Sequence, residues 1–255
     1  MGLMQDQIAA IAQTIAESRS MVAFTGAGIS TPSGIPDFRS PDSGLWTDCD
    51  PLTVASIYGF RQDPEAFYKW VRPLAHLTMQ AKPNPAHLAL AQLEACGKLK
   101  CVITQNIDAL HTRAGNKIIY ELHGHMRETT CTHCFAVYPA DPYISRFLED
   151  HRIPRCPGCG GVLKPNVILF GEQLPYREIQ LAKEAARLTD LMIIIGSSLE
   201  VAPASDLPLL ALRHGAKLVI INLQSTFLDS RATFVVNANA AEVLPEIVSL
   251  LESLV

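Results

Sequence analysis

Charge is sparse in this chain. Only 18% of its 255 residues are Asp, Glu, Lys or Arg, and 21 basic side chains against 25 acidic ones leave a net charge of −4. That balance argues against a general nucleic-acid-binding surface. No apolar run approaches the roughly 20 residues that cross a bilayer. Residues 1–20 also lack the basic start and apolar block of a secretory leader. These absences predict a soluble, cytoplasmic protein. Internal repeats and low-complexity tracts are missing too. Cysteine is modest and odd in number, at seven, and four of the seven are tightly paired in sequence. That usage favours a metal site over disulfides, in a reducing compartment.

What is present suits a large α/β core, with 48% apolar residues, enough for one domain with a small appendage. Short apolar runs at 21–25, 101–105, 118–122, 191–195, 218–222 and 232–236 are continuous rather than alternating. That is the pattern of parallel strands covered on both faces. Ile8, Ile11 and Ile15 share a face of an opening helix, and Val243, Leu244, Ile247, Val248 and Leu251 mark a closing one. Asn84-Pro85, Asp63-Pro64 and Asp141-Pro142 read as helix starts, with Gly97 closing the first. The expected fold is a doubly wound, Rossmann-like parallel sheet formed by 1–39, 81–123 and 166–255. Residues 40–80 (helical, aromatic) and 124–165 (rich in Cys, Pro and Gly) are expected to form a smaller inserted lobe.

The most informative stretch is Gly26-Ala27-Gly28-Ile29-Ser30, continuing to Gly34-Ile35-Pro36-Asp37-Phe38-Arg39, directly after the first strand. Glycines at a strand end let backbone N–H groups approach a phosphate, helped by the helix N-terminus behind them. Gly34 comes too late for the usual third glycine of that fingerprint. Thr104-Gln105-Asn106-Ile107-Asp108 ends the second strand, at the edge where doubly wound sheets bind ligands. Asp108 on its own reads equally well as a helix cap. His123, followed by Gly124, reaches the same edge as a candidate base.

Cys131-Thr132-His133-Cys134 and Cys156-Pro157-Gly158-Cys159 are two C-x-x-C knuckles separated by 21 residues. Four thiolates fill a tetrahedral shell, so the reading is one structural zinc; a redox disulfide pair is the alternative.

In this order, Gly-Ala-Gly-Ile-Ser…Gly-Ile-Pro-Asp-Phe-Arg, Thr-Gln-Asn-Ile-Asp, His-Gly, the paired cysteines, Phe-Gly-Glu and Gly-Ser-Ser-Leu resemble the sirtuin family, the NAD-dependent protein lysine deacylases, deacetylase-like branch. The resemblance runs from Met21 to the final helix. It implies that Gly26, Ala27, Gly28 and Ser30 cradle the pyrophosphate, with Asp37 beside them. Phe38 would cover the nicotinamide ribose and Arg39 would anchor a loop. Asp108 would bind the nicotinamide carboxamide beside Ile35 and Ile107. The acyl oxygen of the substrate lysine then attacks the ribose as nicotinamide leaves, giving an alkylamidate, and His123 acts as general base on a ribose hydroxyl. Gln105 and the catalytic Asn106 would order ribose and water. Gly196, Ser197 and Ser198 would hold phosphate and ribose, and Asn222, Leu223, Gln224 and Ala240 the adenosine. NAD is consumed as a co-substrate.

The same resemblance makes Val167, Phe170, Gly171, Glu172, Leu199 and Val201 the walls of an acyl-lysine tunnel and a peptide groove. The partners are then acylated-lysine proteins or peptides, with no nucleic acid and no membrane. Members that prefer acidic acyl groups carry Tyr-x-x-Arg. Here Tyr68-Lys69-Trp70-Val71 places valine at that point, and Arg72 is turned by about 100°, which points to apolar acyl groups. Mono-ADP-ribosyl transfer from the same site is the nearest rival reading. A non-catalytic zinc-ribbon module and an NAD-dependent dehydrogenase stand further off.

Overall fold

The structure is a computed structural model that describes residues 2–37 and 51–253. The chain opens with α1 (Gly2–Glu17) and β1 (Met21–Thr25), followed by two short 3-10 turns at Ala27–Ile29 and Thr31–Ser33. A helical segment follows, of α2 (Pro51–Val54), α3 (Ile57–Gln62) and α4 (Pro64–Gln80), then α5 (Pro85–Ala95), β2 (Leu99–Thr104), α6 (Leu110–Ala114) and β3 (Ile119–Glu121). Next come β4 (Gly124–Cys131), β5 (Val137–Pro139), α7 (Asp141–Asp150) and β6 (Leu163–Val167). The chain then alternates through α8 (Tyr176–Leu188), β7 (Leu191–Ile195), α9 (Asp206–Arg213), β8 (Lys217–Ile221), β9 (Phe234–Val236) and α10 (Ala240–Glu252).

Six strands form one parallel sheet in the order β3-β2-β1-β7-β8-β9. Counting sheet strands alone, this is the 3-2-1-4-5-6 order of the dinucleotide-binding fold. Both faces are covered, and that is why the strands read as unbroken apolar runs. Met21, Ala23, Ile193 and Val219 face a core shared with Ile8, Ile11 and Ile15 of α1, Leu90 and Leu93 of α5, and Leu244 and Ile247 of α10. Val22, Phe24, Ile194 and Ile220 face the opposite core, closed by Ala182 and Ala186 of α8 and Leu207 and Ala211 of α9. Each fully buried Leu or Ile contributes about 1.5–3 kcal/mol.

The helix starts follow local chemistry. Asn84 caps α5 in a box with His87, and Asp63 accepts the N–H of Ala66 at the head of α4. At α7 the reading shifts by one residue: Ala140 is the cap and Asp141 lies in the first turn. There a carboxylate favours the positive end of the helix dipole without capping it.

A second, antiparallel sheet has the order β5-β4-β6, with Cys131 opposite Leu163 and Thr130 opposite Lys164. Gly124, at φ +73°, turns the chain from His123 into β4; a Cβ there would lie 2.1 Å from the Asn166 carbonyl oxygen. Among the described residues, no helix is long and apolar enough to cross a membrane.

Candidate active site

The strand order reverses between β1 and β7, which opens a crevice at their carboxyl ends. The two glycine turns meet there. Gly26 N–H donates to the Ile195 carbonyl at 3.1 Å and Gly28 N–H to the Gly196 carbonyl at 2.8 Å. A Cβ on Gly28 would sit 2.8 Å from the Gly196 Cα, and one on Gly196 (φ +59°) would lie 2.2 Å from the Ile29 nitrogen. The glycines are therefore required by turn-on-turn packing within the chain, whatever binds above them.

Beyond that turn a polar cluster fills the floor of the crevice. Ser30 is buried and its hydroxyl donates to Asp108 Oδ2 at 2.7 Å. Asn106 Nδ2 donates to Ser30 Oγ and to the Gly26 carbonyl, each at 3.1 Å. Gln105 Nε2 donates to Ser197 Oγ at 2.9 Å. Asp108 Oδ1 accepts the Leu110 N–H at 2.8 Å, so Asp108 serves as a local cap for α6 and also as part of the crevice wall. Burial pushes its carboxyl above the ordinary carboxylate range, opposed by the hydrogen bonds from Leu110 and Ser30.

His123 stands on the opposite wall. Its Nδ1 lies 3.0 Å from the main-chain oxygen of Gln105. A carbonyl can only accept, so Nδ1 carries the proton and Nε2 keeps the lone pair. Burial lowers the imidazole pKa below its usual 6.5, partly offset by that hydrogen bond. The main-chain oxygen of His123 accepts the Ile168 N–H at 2.8 Å, joining the histidine to the segment after β6.

One crevice of about 710 Å³ collects most of the residues read from the sequence. At one end lie Asn222, Leu223, Gln224 and Ala240, with Asn222 Nδ2 donating to the Gln224 carbonyl at 2.7 Å. The middle holds Gly26, Ala27, Gly28, Ser30, Ile35, Asp37, Gln105, Asn106, Ile107, Asp108, Gly196, Ser197 and Ser198. The other end holds Val167, Phe170, Gly171, Glu172 and Val201. Leu199 is the exception. It is 3% exposed and packs into the core with Leu207 and Ile220, away from the crevice wall, its backbone at φ +59°. Phe38 and Arg39 lie outside the described residues.

Sequence reading missed two parts of this site. Phe67, Leu74 and Thr78 of α4 line the crevice beside Trp70 and Val71, the two already singled out in Tyr68-Lys69-Trp70-Val71; their helical spacing reads equally well as ordinary core. The other is a buried histidine pair beneath the floor. His87 and His111 stack at 4.9 Å, with His87 Nε2 3.5 Å from Ser30 Oγ and His111 Nε2 3.0 Å from Thr25 Oγ1. Burial drives their pKa values down to about 4 and about 3. Their only signal is one histidine on each of two short helices, α5 and α6.

Tyr68, the tyrosine of Tyr68-Lys69-Trp70-Val71, does not line the crevice. Its hydroxyl donates to the Leu163 carbonyl, and its ring borders a small apolar cavity behind the crevice with Phe147 and Met126.

At the other side of the small sheet, the sulfur atoms of Cys131, Cys134, Cys156 and Cys159 all lie within 4.8 Å of one another. Cys131 and Cys159 are 3.4 Å apart, and Cys134 and Cys156 are 3.6 Å apart. A zinc ion bound at about 2.3 Å by four sulfurs sets tetrahedral edges near 3.8 Å, so the donor set fits zinc. Tyr138 Oη lies 3.3 Å from Cys156 Sγ and lowers that thiol, while hydrogen bonding with Cys131 and Cys134 raises Cys159, so the thiols titrate as one group.

A model of the Sir2 family matches residues 26–203. An NAD-dependent protein deacylase 2 of Archaeoglobus fulgidus is 46% identical over 246 residues, covering 96% of each chain. A chain solved in work on the mechanism and regulation of Sir2 enzymes superposes with a TM-score of 0.93 at 44% identity, over 98% of this chain and 100% of that one. A Sir2 chain in complex with a p53 peptide and NAD+ superposes with a TM-score of 0.86 at 42% identity, over 94% and 96%. The turn-on-turn glycines, the buried Asp108 and the wall histidine thus sit in a chain that belongs to the Sir2 family.

Proposed function

We propose that this protein is an NAD-dependent protein-lysine deacetylase or deacylase, which moves an acyl group from a lysine side chain to ADP-ribose and releases nicotinamide. The observation that carries the reading is the convergence of Asp108, Asn106 and His123 on one crevice at the β1–β7 switch point, which the glycine turns and apolar side chains such as Trp70, Val167 and Phe170 also line. The hydroxyl and amide side chains beside the glycine turns, Ser30, Gln105, Asn106 and Ser197, suit a dinucleotide; the Gly26 and Gly28 N–H groups are spent on Ile195 and Gly196. The relatives named for NAD-dependent deacylation, and the Sir2 complex with peptide and NAD+, support the same assignment.

NAD, when bound, supplies a ribose carbon that becomes electrophilic as nicotinamide departs. The chain does the rest. Asp108 accepts a hydrogen bond from the nicotinamide carboxamide and orients the ring. His123 Nε2, unprotonated because Nδ1 is committed to Gln105, takes a proton from a sugar hydroxyl. Asn106 and Gln105 hold the sugar edge and its water. Val167, Phe170 and the α4 wall carry the acyl-lysine stem and keep water out, and Gly171, Glu172 and Val201 pair with the peptide main chain. Leu199 joins this set through its backbone alone.

The Rossmann-like part (1–39, 81–123, 166–255) then serves the nucleotide and supplies Val167, Phe170, Gly171, Glu172 and Val201 to the acyl-peptide side, while the smaller lobe (40–80, 124–165) closes that side with α4, zinc bracing it as a structural ion. The four thiols required for that zinc support a reducing, cytoplasmic setting. One peptide carrying a ladder of acyl groups, assayed with and without NAD, tests the assignment. Deacylation that strictly requires NAD is expected; deacylation without NAD, or none at all, overturns it.

A further inference from the structure

The turn between β6 and α8 is closed by an ionic staple. Lys164 Nζ lies 2.9 Å from Glu172 Oε2 and donates to the Val167 carbonyl at 2.7 Å and the Pro165 carbonyl at 3.3 Å. The same Glu172 oxygen accepts the Leu169 N–H at 2.8 Å, and Glu172 N–H returns a bond to the Leu169 carbonyl at 3.0 Å. An ammonium has three protons, and three acceptors surround this one. The Lys164 and Glu172 side chains are 13% and 24% exposed, so the pair is screened far less than a surface pair. The stapled turn carries Val167, Phe170 and Gly171, all on the acyl-side wall. Gly171, at φ +84°, packs so tightly under Tyr58 that a Cβ would meet the ring at 2.9 Å. Phe170 is held from the far side as well, bonding Ala55 and Ile57 through its main chain at 2.9 Å each. Lys164 itself does not line the crevice, and it faces Thr130 across β4, one residue from Cys131.

We infer that Lys164 is a positioning residue for the acyl-peptide subsite, setting the shape of the 167–172 turn through its ammonium and thereby the affinity for acylated peptide but not for nucleotide. The inference rests on the deacylase reading of the crevice. Its selectivity follows from geography. The nucleotide end is built from Gly26–Ser30, Gly196–Ser198 and Asn222–Gln224 on the large sheet, whereas Lys164 reaches only the turn. Removing the cation leaves the Val167 carbonyl unpaired and the Glu172 carboxylate at the crevice wall held by one N–H, so the turn relaxes.

The test compares wild type with Lys164→Met, of similar length and without charge, and with Lys164→Arg, measuring steady-state kinetics with an acetyl-lysine peptide and calorimetric binding of ADP-ribose. The expected result is a peptide KM raised at least about tenfold in Lys164→Met, ADP-ribose affinity within twofold, and recovery to within about threefold of wild type in Lys164→Arg. A peptide KM within twofold of wild type, or a parallel loss of ADP-ribose affinity, overturns the inference. If Lys164→Met does not fold, Lys164→Gln, a shorter neutral amide that still cannot pair with the Glu172 carboxylate as a cation, takes its place. It should raise the peptide KM by about three- to tenfold with ADP-ribose binding unchanged, and an unaltered KM there overturns the inference. Absence of deacylation by the wild-type protein would sink the deacylase reading instead, so the two failures are distinguishable.

Discussion

His123 donates its Nδ1 proton to the main-chain carbonyl of Gln105 across 3.0 Å, and that one bond leaves Nε2 as the basic atom facing the crevice. His123→Ala is therefore predicted to lower deacylation by roughly two to four orders of magnitude, the usual worth of a positioned base. NAD affinity should stay within a few-fold. Because burial holds this imidazole below its ordinary 6.5 and only the neutral form accepts a proton, kcat/KM should hold through pH 6.5 and fall on the acid side of it. A pH–rate profile checks this; an acid limb centred at or above 6.5 counts against the assignment.

The stacked pair His87 and His111 makes a stability prediction. Their folded pKa values, about 4 and about 3, lie below the unfolded value of 6.5. Between those limits the unfolded chain binds more protons than the folded one, so stability rises with pH. It is full above about 6.5 and declines as pH falls toward 4. At pH 5 each histidine costs up to about 2 kcal/mol, a combined drop in Tm of up to about 8–16 °C for a chain this size. Thermal melts at pH 7.5 and 5.0 measure it, and a Tm unchanged over that range contradicts the buried neutral pair.

Zinc should be structural. Replacing Cys131 or Cys156 by Ala is expected to lower metal content and Tm together, with activity lost through the small sheet, since a structural site contributes its binding free energy to folding. Elemental analysis alongside thermal melts is the measurement. A full-stability variant without zinc would refute the role.

Acyl selectivity follows from the α4 wall. Trp70, Val71 and Leu74 are apolar, Arg72 is not part of the wall, and the Tyr68 hydroxyl is taken by the Leu163 carbonyl. A succinyl carboxylate would be buried without a partner there, which is costly. Catalytic efficiency on acetyl-lysine peptide should exceed that on the matched succinyl peptide by at least about tenfold, or about 1.4 kcal/mol. Among the described lining residues the one cation is Lys183 on α8. Equal desuccinylation would show that Lys183, or an unlocated base, reaches the acyl end.

Much of the architecture was readable from residues alone because its determinants are local. The unbroken run Leu191–Ile195 announces a strand buried on both faces, and Asn84-Pro85 announces the start of α5. The glycine turn was legible as well, though its reason is the facing turn at Gly196, which spacing along one segment does not reveal. Leu199 shows the limit: its neighbours line the crevice while its own side chain turns into the core, a choice made by a left-handed backbone. His87, His111 and Lys164 are not legible in the sequence because each acts through partners distant in sequence or through a turn's closure, and none of the three has a periodic or motif signature.

The most direct measurement is product accounting. The protein is incubated with zinc, an acetyl-lysine peptide and NAD, and nicotinamide, deacetylated peptide and acetyl-ADP-ribose are quantified together by mass spectrometry. The three are predicted to appear in equal amounts and only when NAD is present. Nicotinamide released with ADP-ribose attached to protein and the peptide still acetylated, or NAD reduced at its nicotinamide ring, would contradict the account.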